Sequence, residues 1–393
     1  MKRIVVLGAG YAGLRVVKQL THAKVDAQIV LVNKNPYHYE STQLHEVAAG
    51  TKQPADITFD IRPLLARKRN VEVIIDEVTR VDQDARKVEL KNGEPLDYDY
   101  LVNALGFESE TFGIKGADEN GWPLIDIETA VAARKHLEST LANYRRSHDV
   151  NDLHIVVCGA GFTSIEYLGE LVHRLPRLAK EYGFPMELVK VDCIEAAPKI
   201  LPMFEPSLSA WAVKYLERKG VTFHVATPIT EVRPGAVVSN DTEFPANTII
   251  WTTGVHGSHV IADSGYDQKR NRVVVEDDLR IADHPDQFLI GDVSAVPNPG
   301  NGRLYPTTGQ ISIAQADAAA ANLASLLRGG KTKKFVFKPL GTVCSLGPGA
   351  GIASIDMMGH WKLKGSKVSI VKKMINDRTV LELANIRTML ESD

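Results

Sequence analysis

The sequence predicts an α/β fold with two Rossmann-like dinucleotide-binding domains, because one short pattern occurs twice within 393 residues. Residues 3–14 read RIVVLGAGYAGL and residues 154–165 read HIVVCGAGFTSI, so an apolar run followed by Gly-Ala-Gly is repeated. The spacing is too long for a solenoid repeat and indicates two copies of a whole domain. The length of the chain also favours two or three domains over one.

Each copy has the features that dinucleotide binding requires. The apolar runs Ile4–Leu7 and Ile155–Cys158 are typical of parallel strands buried on both faces. A glycine turn after such a strand brings the backbone close to a pyrophosphate, and the following helix presents free N–H groups to the phosphates. These turns contain Gly8, Gly10 and Gly13 in the first copy, and Gly159, Gly161 and Ser164 in the second. Serine is small enough to keep the helix close to the strand.

In each copy, the residue that follows the second strand is the one expected to contact an adenosine ribose. In the second copy, the apolar run Leu188–Ile194 is followed by Glu195, whose carboxylate would accept from ribose hydroxyls and repel a 2′-phosphate. This favours NADH over NADPH. In the first copy, Gln28–Val32 is followed by Asn33 and Lys34, so the acid is missing and the ribose contact differs. Two dinucleotides in one chain indicate FAD together with a nicotinamide.

A third segment predicts that the first domain is interrupted. The short strand Phe288–Ile290 leads into Gly291 and Asp292, and a helical pattern follows at Ile313–Arg328. Glycine allows a close approach of the backbone, and Asp292 can accept a hydrogen bond from a flavin ribityl hydroxyl. We therefore predict a discontinuous FAD domain with the NADH domain inserted into it.

Two apolar strands that end in glycine, at 101–106 and 249–254, are expected where the chain crosses between the domains. The predicted limits are 1–112 for the first part of the FAD domain, 113–262 for the NADH domain, 263–330 for the second part of the FAD domain, and 331–393 for a C-terminal segment.

Composition and charge narrow the class of protein. Hydrophobic residues make up 44% and charged residues 24%, as in soluble globular proteins. The net charge of -2 gives no general attraction to nucleic acid, and we expect neither a nucleic-acid partner nor a metal site. No run approaches the ~18 apolar residues that cross a bilayer, and the N-terminus has no signal-peptide pattern. Three cysteines predict no disulfide framework and a reducing compartment.

With these motifs the chain resembles the flavoproteins with two dinucleotide-binding domains, and among them bacterial type II NADH dehydrogenase (NADH:quinone oxidoreductase). Further matching stretches lie at 33–39, 44–50, 104–113, 165–171, 195–202, 341–347 and 372–375. The last two lie outside the core shared by these flavoproteins and therefore discriminate best. The resemblance implies hydride transfer from NADH to FAD, and then transfer of two electrons to a menaquinone or ubiquinone in the respiratory chain, without proton pumping.

The resemblance also implies roles for particular residues. FAD is expected on Gly8, Gly10, Gly13, Asn33, Lys34 and Asp292, and NADH on Gly159, Gly161 and Glu195. Further cofactor contacts are expected from Tyr11, Ala12, Val78, Gly106, Gln310, Phe162, Thr163 and Gly254. Quinone contacts are expected from Gln310, Ile311, Gln315, Lys372 and Ile375.

The quinone segment departs from the pattern of the family, which often reads Ala-Gln-x-Ala-x-Gln. This chain reads GQISIA at 309–314, so Gln310 is retained while Ala314 replaces the final glutamine and Gln315 comes one place later. The departure leaves open which quinone is preferred and how its carbonyl is held.

Glu166 is the candidate catalytic group for proton transfer, because it lies near the start of the helix that follows the second glycine turn. Glu170 is four residues further on and shares that face, so the two can form a like-charge pair with one raised pKa. Solvated helix positions remain the alternative for both glutamates, as a plain surface lysine does for Lys372.

The cysteines bear on the alternative functions. Residues 35–60 contain no cysteine, which argues against a disulfide reductase. Cys158 and Cys193 lie in predicted strands and are expected to pack in cores, so only Cys344 is near the quinone segment. A sulfide:quinone oxidoreductase, a ferredoxin reductase-like enzyme and a non-enzymatic NADH-sensing flavoprotein stay open as alternatives.

The C-terminal residues 361–376 combine lysines, an aromatic residue and an apolar stripe. Val368, Val371 and Ile375 share a helical face, and Trp361 precedes the helix. Such a basic amphipathic helix is typical of a segment that lies on a membrane, and a second apolar stretch follows at Val380–Leu390, with Arg387. We therefore expect peripheral attachment to the cytoplasmic face of the bacterial cell membrane. A helix packed on the FAD domain, or a contact within a homodimer, is the alternative.

Overall fold

The computed structural model describes residues 1–300, 302–356, 359–385 and 388–389, and it confirms the predicted α/β class. Its α-helices span Tyr11–His22, Leu44–Ala49, Ile61–Leu65, Ala117–Asn120, Ile127–Ser147, Phe162–Tyr182, Pro206–Glu217, Val260–Asp263, Gly309–Leu327 and Ser366–Leu383. Among the described residues, no helix is long and apolar enough to cross a membrane.

Two parallel five-stranded sheets form the centres of two separate hydrophobic cores. The first sheet has the strand order Gln287–Leu289, Tyr100–Asn103, Lys2–Leu7, Ala27–Asn33 and Val71–Ile75. The second has the order Trp122–Pro123, Thr248–Trp251, His154–Cys158, Lys190–Ile194 and Val221–His224. In both sheets the strand before the glycine turn is central, so the sequence repeat corresponds to a structural repeat.

Most of the smaller strands form antiparallel pairs and ribbons. They are Tyr37–Tyr39 with Thr58–Asp60, Val78–Asp82 with Lys87–Leu90 and Leu96–Asp97, and Glu231–Arg233 with Ala236–Ser239 and Thr242–Pro245. A two-stranded parallel pair joins Val273–Val274 to Ser294–Ala295.

Each glycine turn packs against the residue that directly follows a neighbouring strand of its sheet. Gly8 has φ +90°, and a Cβ there would lie 2.5 Å from the carbonyl oxygen of Ala104. Gly159 has φ +96°, and a Cβ there would lie 2.6 Å from the carbonyl oxygen of Thr252. Only glycine fits at these two positions, because other residues would add strain and a backbone clash.

The chain crosses between the two sheets on a pair of antiparallel strands, Phe107–Ser109 and Val255–Gly257. The predicted segments 101–106 and 249–254 therefore end the sheet strands just before each crossing. Val260 and Ile261 already belong to the first core. The exact domain limits stay a prediction.

Two element bounds differ from the prediction for local reasons. The helix predicted at Ile313–Arg328 begins at Gly309, because the Thr308 hydroxyl caps it by accepting from Ile311 N at 3.3 Å. The strand predicted from Leu188 begins at Lys190, because residues Met186–Leu188 form a 3₁₀ turn.

The C-terminal sheet is antiparallel and consists of Gly341–Ser345, Gly351–Ile355 and Trp361–Lys364. Cys344 and Ile352 of this sheet are buried in the second core, together with Leu44 and Val47. The helix Leu44–Ala49 and the C-terminal sheet thus pack on the same core, although almost 300 residues separate them in the chain.

The C-terminal helix Ser366–Leu383 carries apolar residues on two sides. Val368, Val380 and Leu383 are buried against the protein, whereas Ile370 and Met374 are each 65% exposed. The helix therefore packs against the protein through one side and presents other apolar residues to solvent.

The exposure of two residues of this helix bears on what the sequence left open. Ile375, which was expected to share the face of Val368, is 46% exposed. Lys372 is not a plain surface lysine, because only 15% of its side chain is exposed. Of the second predicted apolar stretch, Arg387 and Leu390 lie outside the described residues.

Candidate functional site

The two glycine turns form open cradles at the starts of two long helices. Gly10 caps Tyr11–His22 and Gly161 caps Phe162–Tyr182, and neither helix has a side-chain cap. At Gly10, Gly161 and Gly106, no atom of the described residues beyond the adjoining backbone lies within 4 Å of where a Cβ would be. Free N–H groups at an uncapped helix start suit a phosphate, so these residues fit a pyrophosphate.

The structure places Asn33 and Glu195 at equivalent positions behind the two turns. Asn33 Oδ1 accepts from Ala9 N at 2.8 Å, and Glu195 Oε2 accepts from Ala160 N at 2.7 Å. Each side chain therefore holds the central alanine of its Gly-Ala-Gly turn. The neighbouring Lys34 extends into solvent.

Asp292 and the start of the helix Gly309–Leu327 line a small cavity beside the first turn. The cavity is also lined by Arg272, Ile311 and Gln315. Burial raises the pKa of Asp292 to about 6, although the positive charge of Arg272 opposes this shift. A partly buried carboxylate that lines a cavity suits a ligand hydroxyl, so Asp292 fits the ribityl contact expected of it.

The raised pKa of Asp292 makes a stability prediction for the protein without bound nucleotide. Because the folded state holds this proton more tightly than the unfolded chain, stability is lost as the pH rises from about 4 to 6. We expect Asp292→Asn to raise the unfolding free energy at pH 7 by about 3 kcal/mol and to flatten its dependence on pH in this range. Urea titrations at pH 4.5 and 7 measure both effects. An equal effect of the substitution at the two pH values would contradict the raised pKa of Asp292.

The remaining residues expected at the first turn lie around it or behind it. Tyr11 is buried, and its hydroxyl donates to Glu40 Oε2 at 2.9 Å. The methyl group of Ala12 lies 3.5 Å from where a Cβ on Gly291 would be, so the helix meets the turn of Asp292. Val78 is buried in the first core.

At the second turn, Phe162 packs against Phe204 with ring centroids 5.7 Å apart. Thr163 follows in the first turn of the helix. Gly254 lies beside the ring of Phe112, which carries the Arg270 guanidinium 5.1 Å from its centroid. Asn33, Glu195 and the glycines of the two motifs thus lie at the two turns, while the nucleotide contacts themselves stay a prediction.

A buried ionic cluster surrounds Glu166, one turn into the helix Phe162–Tyr182. Glu166 Oε1 lies 2.7 Å from Lys372 Nζ and accepts from Ser345 N at 2.8 Å. Glu166 Oε2 lies 3.6 Å from His45 Nδ1. Four separate segments of the chain therefore meet at one carboxylate.

Charge and burial decide the protonation of this cluster. Burial lowers the pKa of Lys372, but the negative charges of Glu166 and Glu46 outweigh it and leave this pKa raised. Burial, with the charges of Lys372 and Lys52, holds the pKa of His45 well below its usual range. The cluster therefore contains an ammonium group and a neutral imidazole.

Glu166 and Glu170 are both buried, so the alternative that they are solvated helix residues is wrong. The pKa of Glu170 is raised, chiefly by burial, while the charges of Glu46 and Glu166 add smaller contributions. Burial therefore raises the pKa of Glu170 more than repulsion from Glu166 does.

The predicted quinone residues do not form one group. Gln315 is buried and accepts from Gly291 N at 2.6 Å, and Gln310 accepts from Leu340 N at 3.2 Å. Ile311 lines the cavity of Asp292, whereas Lys372 belongs to the cluster of Glu166. Ile375 is exposed and belongs to neither.

Comparison with known proteins places the chain in a family. Residues 2–321 match the family described as pyridine nucleotide-disulphide oxidoreductase. A protein named type II NADH:quinone oxidoreductase, from Staphylococcus epidermidis, is 44% identical over 98% of this chain and 96% of its own length. The chain belongs to the type II NADH:quinone oxidoreductase family. The protein of the same name from Staphylococcus aureus is 43% identical over the same shares.

Solved structures share the fold of this type II family member. NDH2 from Plasmodium falciparum in complex with NADH has a TM-score of 0.87 at 18% identity, and the match covers 100% of this chain and 97% of that one. The sulfide:quinone oxidoreductase from Aquifex aeolicus has a TM-score of 0.79 at 21% identity, with 98% and 92% covered.

The cysteines of this type II family member are free and buried. They are Cys158, Cys193 and Cys344, and burial raises the pKa of each thiol. A protonated, buried thiol is a poor nucleophile. The buried positions of these three thiols indicate a role in core packing and not in redox chemistry.

Sequence reasoning missed several residues that the structure brings to the site. His45, Ser345 and Glu46 surround the Glu166–Lys372 pair, and His38 with Glu40 lies behind the first turn. The available signal was polar side chains within otherwise apolar segments, such as His45 between Leu44 and Val47.

Proposed function

We propose that this type II family member oxidises NADH and reduces a membrane quinone by two-electron transfer through FAD, without pumping protons. The observation that carries the proposal is the buried pair of Glu166 and Lys372, one helical turn from the second nucleotide cradle. A paired acid and base beside a nucleotide site suits a reaction in which protons accompany electrons.

FAD is assigned to the first turn, because the open cradle at Gly10 suits a pyrophosphate and Asp292 faces the adjoining cavity. When bound, FAD supplies a group that accepts a hydride and passes on an electron pair. NADH is assigned to the second turn, at Gly161 and Glu195.

The side chains of the ionic cluster have distinct roles in this proposal. The ammonium group of Lys372 donates a hydrogen bond to the quinone oxygen on which negative charge develops. Glu166 Oε1, held by Ser345 N–H, keeps this ammonium group protonated and in place. Gln310, Ile311, Gln315 and Ile375 remain proposed contacts of the quinone.

Glu195 is proposed to select NADH over NADPH. Replacing Glu195 with glutamine keeps the shape and removes the charge that repels a 2′-phosphate. We expect the ratio of kcat/KM for NADH to that for NADPH to fall about tenfold, or ~1.4 kcal/mol. Steady-state assays with both nucleotides measure the ratio, and Glu187→Gln, at an exposed position, is the matched control. An unchanged ratio would refute this role.

Attachment to the membrane is proposed through the C-terminal apolar patch, which consists of Trp361, Ile370, Met374, Ile375 and Leu381. All five are exposed, and the exposed lysines Lys367 and Lys373 lie on the same helix as four of them. Exposed apolar side chains beside positive charge suit an anionic lipid surface.

The double substitution Ile370→Glu and Met374→Glu tests this patch. We expect sedimentation with vesicles containing phosphatidylglycerol to fall about tenfold or more, since two apolar contacts are replaced by charges that the lipids repel. Val336→Glu, at an apolar position that is 84% exposed, is the control. A change of elution volume without a change in vesicle binding would assign the patch to a homodimer.

Assays with substrate analogues test the function as a whole. The purified protein is expected to be yellow and to oxidise NADH rapidly with menaquinone or ubiquinone analogues. Quinone reduction driven by sulfide in place of NADH would favour a sulfide:quinone oxidoreductase. A reduced complex that is reoxidised slowly by every quinone would favour an NADH sensor.

A further inference from the structure

The two glycine turns are held in different ways. At the first turn, Ala9 N donates to Asn33 Oδ1 at 2.8 Å, and His38 Nδ1 lies 2.8 Å from Ala9 O. At the second turn, Ala160 N donates to Glu195 Oε2 at 2.7 Å, but no side chain of the described residues binds Ala160 O. Only the first alanine is therefore held at both its N–H and its carbonyl group.

The hydrogen-bond partners determine how His38 is protonated. A carbonyl oxygen only accepts, so Nδ1 of His38 carries a proton and donates it to Ala9 O. Nε2 of His38 lies 3.2 Å from Glu40 Oε1, and the other oxygen of Glu40 accepts from the Tyr11 hydroxyl at 2.9 Å. The contact between Nε2 and Glu40 holds the ring from the other side and leaves the bond from Nδ1 to Ala9 O in place.

This clamp of His38, Glu40 and Tyr11 is buried, with 1%, 3% and 9% of these residues exposed. Burial strengthens its hydrogen bonds and restricts the rotamers of its side chains. The His38 ring also packs against Phe59, with centroids 4.9 Å apart. The position of Nδ1 is therefore set before any nucleotide binds.

Holding Ala9 O also orients the next N–H group. In a trans peptide the carbonyl group and the following N–H point in opposite directions, so His38 directs Gly10 N–H away from itself. Gly10 is the N-cap residue of the helix Tyr11–His22 and supplies no side-chain cap, and the space at its α-carbon is open. A donor that is already oriented binds a phosphate at a smaller cost in conformational entropy.

We propose that His38, held by Glu40 and Tyr11, is a positioning residue that makes the first turn retain its dinucleotide through turnover. The second turn lacks this clamp and exchanges its dinucleotide in every cycle. The inference rests on the proposed function, in which FAD occupies the first turn and is reoxidised in place, while NADH occupies the second and leaves as NAD⁺.

Two substitutions at His38 distinguish the effect of the hydrogen bond to Ala9 O from the effect of side-chain packing. The amide nitrogen of asparagine takes the place of Nδ1, so His38→Asn keeps the bond to Ala9 O. The amide nitrogen of glutamine takes the place of Nε2, so His38→Gln keeps only the contact with Glu40. The rate of FAD release is followed by the rise in flavin fluorescence after dilution of the holoenzyme, and NAD⁺ affinity is measured by calorimetry on the same samples.

We expect His38→Gln to release FAD about tenfold faster than the unsubstituted protein, as for the loss of one buried hydrogen bond, with NAD⁺ affinity unchanged. His38→Asn is expected to release FAD at close to the unsubstituted rate. Equal acceleration by both substitutions would overturn the proposal, as would an unchanged rate in His38→Gln.

A second variant keeps the test valid if His38→Gln does not fold. Glu40→Met removes the partner of Nε2 and frees the ring, so we expect FAD release to accelerate about threefold, and an unchanged rate would overturn the clamp. Failure of the proposed function is distinguishable, because the unsubstituted protein would then be isolated without flavin or would not reduce quinone with NADH. A flavin-containing protein whose His38 variants behave alike refutes only this inference.

Discussion

Replacing Gly169 with alanine is expected to lower quinone-dependent turnover by about tenfold or more and the unfolding free energy by about 2 kcal/mol. Gly169 lies in the middle of the helix Phe162–Tyr182, where the helix crosses the end of the strand Gly341–Ser345. A Cβ at Gly169 would lie 2.3 Å from the carbonyl carbon of Leu346 and 2.6 Å from Gly347 N. These are backbone atoms, so the clash cannot be relieved by a change of rotamer.

The effect of this substitution on turnover follows from the position of Ser345. Moving Leu346 and Gly347 away from the helix also moves Ser345 N, which donates to Glu166 at 2.8 Å. The second glycine turn lies at the start of this helix, about two helical turns before Gly169, so reduction of the flavin by NADH is expected to remain near its normal rate. Steady-state assays with a quinone analogue and thermal melts measure the two effects. Arg177→Ala, on the exposed side of the same helix, is the control, and normal turnover in Gly169→Ala would contradict this packing.

Glu166→Gln is expected to slow quinone-dependent turnover by about 10- to 100-fold while FAD stays bound. Glutamine has the shape of glutamate but not its charge, so Lys372 loses the negative group 2.7 Å from its Nζ. Because burial lowers the pKa of Lys372 and the charges of Glu166 and Glu46 raise it, removing the charge of Glu166 moves the balance toward a lower pKa.

The pH dependence of turnover therefore has a definite sign. Lys372 donates to the quinone only while it is protonated, so activity is lost as the pH rises through its pKa. The alkaline limb of the pH–turnover profile is therefore expected to move to lower pH in Glu166→Gln. Profiles of kcat for this variant and for Glu181→Gln, at an exposed position on the same helix, provide the comparison. An alkaline limb that does not move would show that Glu166 does not support the charge of Lys372.

Local patterns predicted the parts of the fold that depend on neighbouring residues. The apolar runs specify buried strands, and the glycines at 8 and 159 allow the positive φ that the turns require. Both central strands and both helix starts therefore follow from the sequence. The strand that carries Glu195 also follows, although it begins two residues later than predicted. Each of these features depends on the residues of a single segment of the chain.

The ionic cluster could not be predicted in the same way, because it needs contacts between distant segments. His45, Glu166, Ser345 and Lys372 come from four parts of the chain, and nothing in any one part specifies the others. The stripe of Val368 and Ile375 was misinterpreted for a related reason. Which side of a helix is covered depends on its tertiary partners, and here the C-terminal sheet and the first core cover Val368 and Leu383.

The most direct test separates the two half-reactions by anaerobic stopped flow. In the proposed function, electrons pass from NADH to FAD and then to quinone, with Glu166 and Lys372 serving the second step. NADH is expected to bleach the flavin absorbance of the unsubstituted protein and of Glu166→Gln at the same rate. Quinone is then expected to restore this absorbance at least about tenfold more slowly in the variant. Equal rates of both steps in the two proteins would contradict these roles.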